Sequence, residues 1–301
     1  GLLGLTILWG VNPLGVGDRL WLSIGQLFYF QPSEALKVIL IIFMASYLAE
    51  KRELLVLTDL RIGRLRLPPL SYLGPLLLMW GFSLILLLWQ QDLGAALLFL
   101  SAFLSMIYVA TGRQFYVWAG IAMLIAIAVA GYYLYDRIQL RGSIWLDPWS
   151  DPRGQAYQIV QSLLAFAAGG LLGTGVGLGH PTPYIPVVHT DFVFAAIGEE
   201  WGLLGALGLL LALSILVVRG LRVAMRARAP FVSLLAAGLS AMLGWQSVII
   251  LGGTTKLIPL TGITLPFVSY GGSSMLVSCI TAGLLIRAST GSQRAPQERT
   301  P

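Results

Sequence analysis

From Leu93 to Ala110 the chain runs without a single charged, amide or proline residue, and comparable runs recur along its length. A helix rising 1.5 Å per residue needs about 20 such residues to cross the roughly 30 Å of hydrocarbon in a bilayer. In lipid, only helices and closed barrels satisfy every backbone polar group. A barrel would need strands of about ten residues with alternating polarity, and these runs do not alternate. With 57% hydrophobic residues, 11% charged residues and a mean hydropathy of +0.82, the expected fold is an all-α, polytopic membrane helical bundle. Cys279 is the one cysteine and lies inside an apolar run, so it suggests neither a disulfide framework nor a zinc cluster.

Apolar runs between breakers and charges place eight spans near 1–10, 34–49, 72–89, 93–110, 115–134, 202–218, 231–251 and 273–288. The chain opens at Gly1 inside an apolar stretch without a signal-peptide pattern, from which further helices upstream are expected. The expected organisation is a single membrane domain over 1–301, with a large extracytoplasmic segment at 135–201 and a disordered cytoplasmic tail at 289–301. Successive spans must alternate direction, which sorts the loops into two sets. One set, 50–71, 111–114, 219–230 and the end of the chain from 287, holds thirteen basic and four acidic residues; the other holds six basic and nine acidic. By the positive-inside rule the basic set is cytoplasmic. The net charge of +6 is then a topological signature and gives no reason to expect nucleic acid as a partner.

This topology puts segments 11–37, 89–93, 135–201 and 252–272 on one extracytoplasmic face, where they can build one site. Segment 135–201 is too long for a plain connector. Its stretch 155–172 carries apolar residues at helical spacing interrupted by Gln158, Gln161 and Ser162, which predicts an amphipathic or half-inserted helix. The outer loop 252–272, rich in Pro and Gly, predicts irregular backbone lining a cavity. The glycine ladder at 173–179 lacks the preceding strand and the lysine of a nucleotide loop; a flexible or closely approached backbone is the better reading.

Asp191 is the leading functional candidate. It lies at the edge of an apolar segment, beside His189 and Thr190 and after prolines 181, 183 and 186. Ionisable groups at membrane depth mark function by default, while helix capping by Thr190 or Asp191 is the structural alternative. Glu34 and Lys37 fall three apart at the start of a span and share a helical face; they either cap and snorkel or hold a phosphate oxygen. Asp92, in a tight turn, is a cap or a site acid. Arg137 and Arg141, four apart, suit an anionic ligand or lipid headgroups. With two histidines in the chain, a permanent protein-ligated metal is not expected; a loosely held divalent cation, Mg or Mn, on outer acids and a diphosphate remains open.

Four motifs carry a resemblance: QPSEALK (31–37), DPWSDPRGQAYQ (147–158), HTDFVFAAIGEEWGLLG (189–205) and PLTGITLPFVSYGGSS (259–274). In this order, and over nearly the whole chain, they resemble the shape, elongation, division and sporulation (SEDS) family that includes RodA, FtsW and SpoVE. The form GGTTKLIPLTG (252–262) is more similar to RodA-like members. The resemblance implies ten spans, two of them before Gly1, and a peptidoglycan glycosyltransferase of the bacterial cytoplasmic membrane. Such an enzyme polymerises lipid II and undecaprenyl-linked glycan on the extracytoplasmic side and works with a class B penicillin-binding protein among the membrane lipids.

By the same resemblance Asp191 matches the family's essential aspartate and serves as general base. Glu34 and Lys37 match its acid and base, Asp92 its outer-hairpin aspartate, and Arg19 its arginine before a tryptophan. Apart from these matches, Arg137, Arg141, His189, Thr190, Lys256 and Ser269 complete the set of residues expected to bind substrate and pyrophosphate, with His189 and Thr190 in positioning and capping roles. The chain departs from the family where Leu20 separates Arg19 from Trp21, where Val187 and Val188 precede His189, and where Ile250 and Lys256 replace a frequent asparagine and glycine. Two rival readings are a lipid II flippase or transporter, which predicts charges continuing through the bundle, and a non-catalytic scaffold for the transpeptidase.

Overall fold

The architecture is that of a computed structural model, which describes residues 6, 10–11, 21–24, 28–57, 60–62, 65–67, 70–89, 92–179 and 188–293. The expected first span, at 1–10, and Arg19 thus lie almost wholly or wholly outside the described residues, as do the prolines at 181, 183 and 186.

Within the described residues the regular structure is helical apart from two short hairpins and an isolated bridge between Val11 and Trp21. Strands β1 (Leu22–Ile24) and β2 (Phe28–Phe30) pair antiparallel with Ser23 opposite Tyr29, and β3 (Leu60–Ile62) pairs with β4 (Leu65–Leu67) with Arg61 opposite Arg66. Three-residue strands are too short to show a period-2 pattern, so the sequence offers no sign of them. The helices are α1 (Pro32–Leu57), α2 (Leu70–Trp89), α3 (Leu93–Thr111), α4 (Gln114–Leu134), α5 (Asp136–Leu146), α6 (Tyr157–Gly169), α7 (Val193–Arg226), α8 (Pro230–Thr254) and α9 (Gly272–Gln293). Helices α1, α2, α3, α4, α7, α8 and α9 answer to seven of the eight expected spans. Five of them, α1, α3, α7, α8 and α9, contain stretches long and apolar enough to cross a membrane, and the protein is a multi-pass membrane protein.

Two compact units divide the chain. The first comprises 1–117, 217–242 and 276–301. In it α1, α2 and α3 pack together through Ile41, Met44, Leu48, Leu87, Leu98 and Met106, all buried. Trp80 of α2 stacks on Phe103 of α3 with ring centroids 4.3 Å apart. A Cβ on Gly238 of α8 would meet both Ile41 and Met106 at 2.8 Å, so only glycine admits that close approach.

The second unit comprises 118–216 and 243–275. Here α6 packs its buried Ile159, Val160 and Ala165 against Val188, Phe192 and Ala195. The Ser162 hydroxyl donates to the Thr254 carbonyl at 3.0 Å, tying α6 to the end of α8. The expected amphipathic helix is therefore present, and its polar Ser162 is buried and bonded rather than facing water.

The span expected at 202–218 begins earlier, at Val193, and is broken inside. Gly202 has φ 65° and ψ −163°, a conformation open to glycine but not to L side chains. The break leaves carbonyls and N–H groups without helical partners, and the glycine ladder supplies them. Thr174 and Gly175 N–H donate to the carbonyls of Glu199 and Glu200 at 2.9 and 3.0 Å, and Leu203 and Leu204 N–H donate to Gly170 and Leu171 at 2.9 and 3.2 Å. A Cβ on Gly173 would lie 2.1 Å from the Glu200 carbonyl oxygen, so the ladder is a closely approached backbone. Non-helical backbone at this depth is tolerated because protein satisfies it.

Candidate functional site

The site is built around the turn 188–192. Phe192 is buried in the core of the second unit, and its carbonyl accepts from Ala195 and Ala196, which makes it the capping position of α7. Asp191 thus stands one residue outside the cap. Ser269 and Tyr270 clamp this turn from the segment between α8 and α9. The Ser269 hydroxyl donates to the Thr190 carbonyl at 2.5 Å and accepts from Leu265 N–H at 2.8 Å, and Tyr270 N–H donates to the His189 carbonyl at 2.8 Å. That segment is itself anchored by buried Gln246, whose amide donates to the Thr264 carbonyl at 2.7 Å.

The carboxylate of Asp191 lines a cavity of about 290 Å³ together with Arg141, Trp145, Gln155, Gln158 and Lys256. Gly262 lies beside it; a Cβ there would be 3.7 Å from Asp191 Oδ2. Surrounding protein removes water from the carboxyl and raises its pKa from the ordinary 3.8 to about 6, against the Thr190 hydrogen bond and the Arg141 charge, which both lower it. Desolvation outweighs both. A carboxylate that is ionised at neutral pH yet retains basicity is suited to accept a proton.

Each cavity wall has a local cause. Helix α5 carries Arg141 and Trp145; its less exposed positions, Ile138, Arg141, Gly142, Ile144 and Trp145, recur at helical spacing. Arg137 lies in its first turn, but its side chain is outside the described residues. In the turn that follows, Asp151 accepts from Gly154 and Gln155 N–H at 3.0 and 2.9 Å, which directs the chain so that Gln155 and Gln158 reach the cavity. Sequence reasoning missed Gln155, Gln158, Trp145 and Gly262 as site residues. The spacing along α5 is the signal that could have found Trp145.

Three predicted residues lie in the first unit. Glu34 and Lys37 share one face of α1, as expected, and form a buried ion pair with Nζ 2.8 Å from both carboxylate oxygens; they belong to the first unit, not the second. Asp92 caps α3 by accepting from Ala95 N–H at 3.0 Å. His189 is exposed and, with Ser269, lines a second cavity of about 430 Å³. Among the described residues no three His, Cys, Asp or Glu side chains gather at one point.

Comparison with known proteins follows the motifs. Residues 1–294 match the family of FtsW, RodA and SpoVE, described as cell cycle proteins. The chain is 42% identical over 289 residues to the peptidoglycan glycosyltransferase RodA of Mycobacterium tuberculosis, covering 95% of this chain and 61% of that protein. It is 36% identical over 299 residues to a probable peptidoglycan glycosyltransferase FtsW of Geobacter sulfurreducens, covering 98% and 76%. Among solved structures it is similar, at TM-score 0.74 and 30% identity, to a chain in a study of polymerization and crosslinking by a peptidoglycan synthase complex; the likeness covers 98% of this chain and 79% of that one. The chain spans about three fifths of the length of the mycobacterial RodA proteins it matches. With the expected motifs, helices and cavity in place, the chain belongs to the FtsW, RodA and SpoVE family of cell cycle proteins.

Proposed function

We propose that this chain polymerises peptidoglycan glycan from lipid II by inverting glycosyl transfer, on the extracytoplasmic face of a bacterial cytoplasmic membrane. The observation that carries the proposal is the Asp191 carboxyl, pushed up to about 6 and turned into a cavity that also holds Arg141 and Lys256. At pH 7 such a group is about nine-tenths ionised and still a usable base. It takes the proton of the acceptor sugar's 4-hydroxyl while that oxygen attacks C1 of the donor sugar. The new C1–O bond forms as the bond from C1 to undecaprenyl diphosphate breaks; the leaving diphosphate takes the electron pair, and the α linkage becomes β. The leaving group is already an anion and needs no strong acid, so the carboxylate spacings of glycosidases do not apply.

The relatives' names support this reaction, and the asymmetry of thirteen basic residues on one loop set against nine acidic on the other supports the orientation. The similar chain studied within a peptidoglycan synthase complex supports a transpeptidase of the class B penicillin-binding type as partner. The test is to incubate the purified protein and that partner with labelled lipid II in detergent and resolve the products by size. The expected result is a ladder of glycan strands cleaved by a β-1,4-muramidase; lipid II recovered unchanged, or moved across a vesicle without polymer, would contradict the proposal.

A further inference from the structure

At the end of α8, two backbone carbonyls are met by side chains from elsewhere in the second unit. Thr254 accepts from the Ser162 hydroxyl of α6 at 3.0 Å, and Lys256 accepts from the indole N–H of Trp145 of α5 at 3.1 Å. Lys256 has φ +62°, a left-handed conformation that suits glycine and that other residues keep only where their neighbours hold it. Here the neighbour is α5, since Lys256 Nζ also donates to the Leu146 carbonyl at 3.5 Å. Little apolar burial fixes that helix. None of its described side chains is buried, and Ile144, which packs against the α6 core, is only partly so. The residues that flank it, Tyr135 and Asp147, both have non-helical backbone, with φ −129° and −136°. The rotation of α5 therefore depends on its polar ties to the end of α8.

We infer that Trp145 is a positioning residue: latched to the Lys256 carbonyl, it fixes α5 so that Arg141, one turn earlier on the same helical face, stays on the cavity wall that it shares with Asp191. The consequence falls on the base. Burial pushes the Asp191 carboxyl up to about 6, and the Arg141 charge is one of the two influences that restrain the rise. With that charge withdrawn, desolvation acts with less opposition and the carboxyl is held more tightly protonated. The other groups around it are Lys256 after α8, neutral Gln155 and Gln158 on the α6 side, and Thr190 and exposed His189 on its own turn. Among the residues that line the cavity, Arg141 and Lys256 are the cations, and the latch involves the elements that carry both. The inference rests on the polymerase reading for the reaction that the base serves, but the latch is measured without turnover.

The test follows the melting temperature of the full chain in detergent across the pH range, each protein beside its own Asp191→Asn derivative. The gain that Asp191→Asn brings grows as the buried carboxyl ionises and levels off just above its folded pKa, which is about 6 in the parent. Trp145→Phe keeps an aromatic ring and loses the donor. It should move the levelling-off point up by about half a pH unit or more, and the pH profile of polymerisation should move with it. Arg141→Gln should move the point at least as far, and Trp145→Phe added to Arg141→Gln should move it no further. Ser162→Ala removes the donor from the neighbouring Thr254 carbonyl; it should lower the melting temperature and leave the point in place. A Trp145→Phe protein that levels off with its parent overturns the inference. So does an equal shift in Ser162→Ala, an Arg141→Gln protein with no shift, or a Trp145→Phe shift that persists in full beside Arg141→Gln. A Trp145→Phe protein that fails to fold overturns it as well, because the residue would then hold the fold and not the base. The two readings fail separately. A shifted point in a chain that makes no polymer from lipid II removes the polymerase and leaves the latch; polymer made by Trp145→Phe with the parent's pH profile removes the latch and leaves the polymerase.

Discussion

The hydroxyl of Ser269 donates to the carbonyl of Thr190 while accepting from Leu265 N–H, so one buried side chain fixes the residue before Asp191 to a segment 79 positions away. The position of the carboxylate therefore depends on the segment between α8 and α9, whose Lys256 and Gly262 line the same cavity. Ser269→Ala leaves a donor and an acceptor without partners and should cost about 1–3 kcal/mol. The turn should loosen with it. The expected kinetic signature is a fall in kcat with little change in KM, measured as initial rates over a range of lipid II concentration.

Because the Asp191 carboxyl is pushed up to about 6, polymerisation should rise with pH along a single ionisation and reach half its plateau near pH 6. The stability consequence has the opposite sense. Burial penalises the ionised form, so the penalty is absent below pH 3.8, grows between 3.8 and 6, and is fully present above. Asp191→Asn should therefore raise the melting temperature at pH 7.5 more than at pH 4, followed by thermal unfolding in detergent.

Gly262 has φ +74°, and a Cβ there would lie against the Asp191 carboxylate at 3.7 Å. Gly262→Ala should cost about 1–2 kcal/mol from the backbone alone and reduce kcat further by crowding the base. Thermal unfolding reports the first effect and the polymerisation rate the second.

Glu34 and Lys37 test a different unit. Removing one partner of a buried ion pair takes from the other a counter-charge 2.8 Å away, and either Glu34→Gln or Lys37→Met should destabilise by about 3–5 kcal/mol. The double substitution should recover most of that loss. A double-mutant cycle on unfolding free energy measures the coupling.

How far the sequence foretells this structure depends on the distance over which each feature is decided. The runs that became α1, α3 and α8 are apolar over a whole membrane thickness, and length alone declares them. The start of α7 is hidden because Glu199, Glu200 and Trp201 interrupt the apolar pattern just where the helix breaks at Gly202. The groups that satisfy the break come from the glycine ladder about thirty positions earlier, a pairing no local pattern announces. Asp191 is legible because an acid beside an apolar run has few reasons to be there. Trp145 and Lys256, which meet through a hydrogen bond across 111 positions, are brought together only by the fold, and the strain at Lys256 exists only in the backbone.

The most direct measurement is the polymerisation rate of Asp191→Ala beside wild type, each purified with the proposed transpeptidase partner and supplied with labelled lipid II at pH 7. The proposed base predicts intact folding and complex formation with the rate reduced by about a hundredfold or more. A variant that folds, assembles and polymerises at the wild-type rate would contradict the assignment of Asp191 as base.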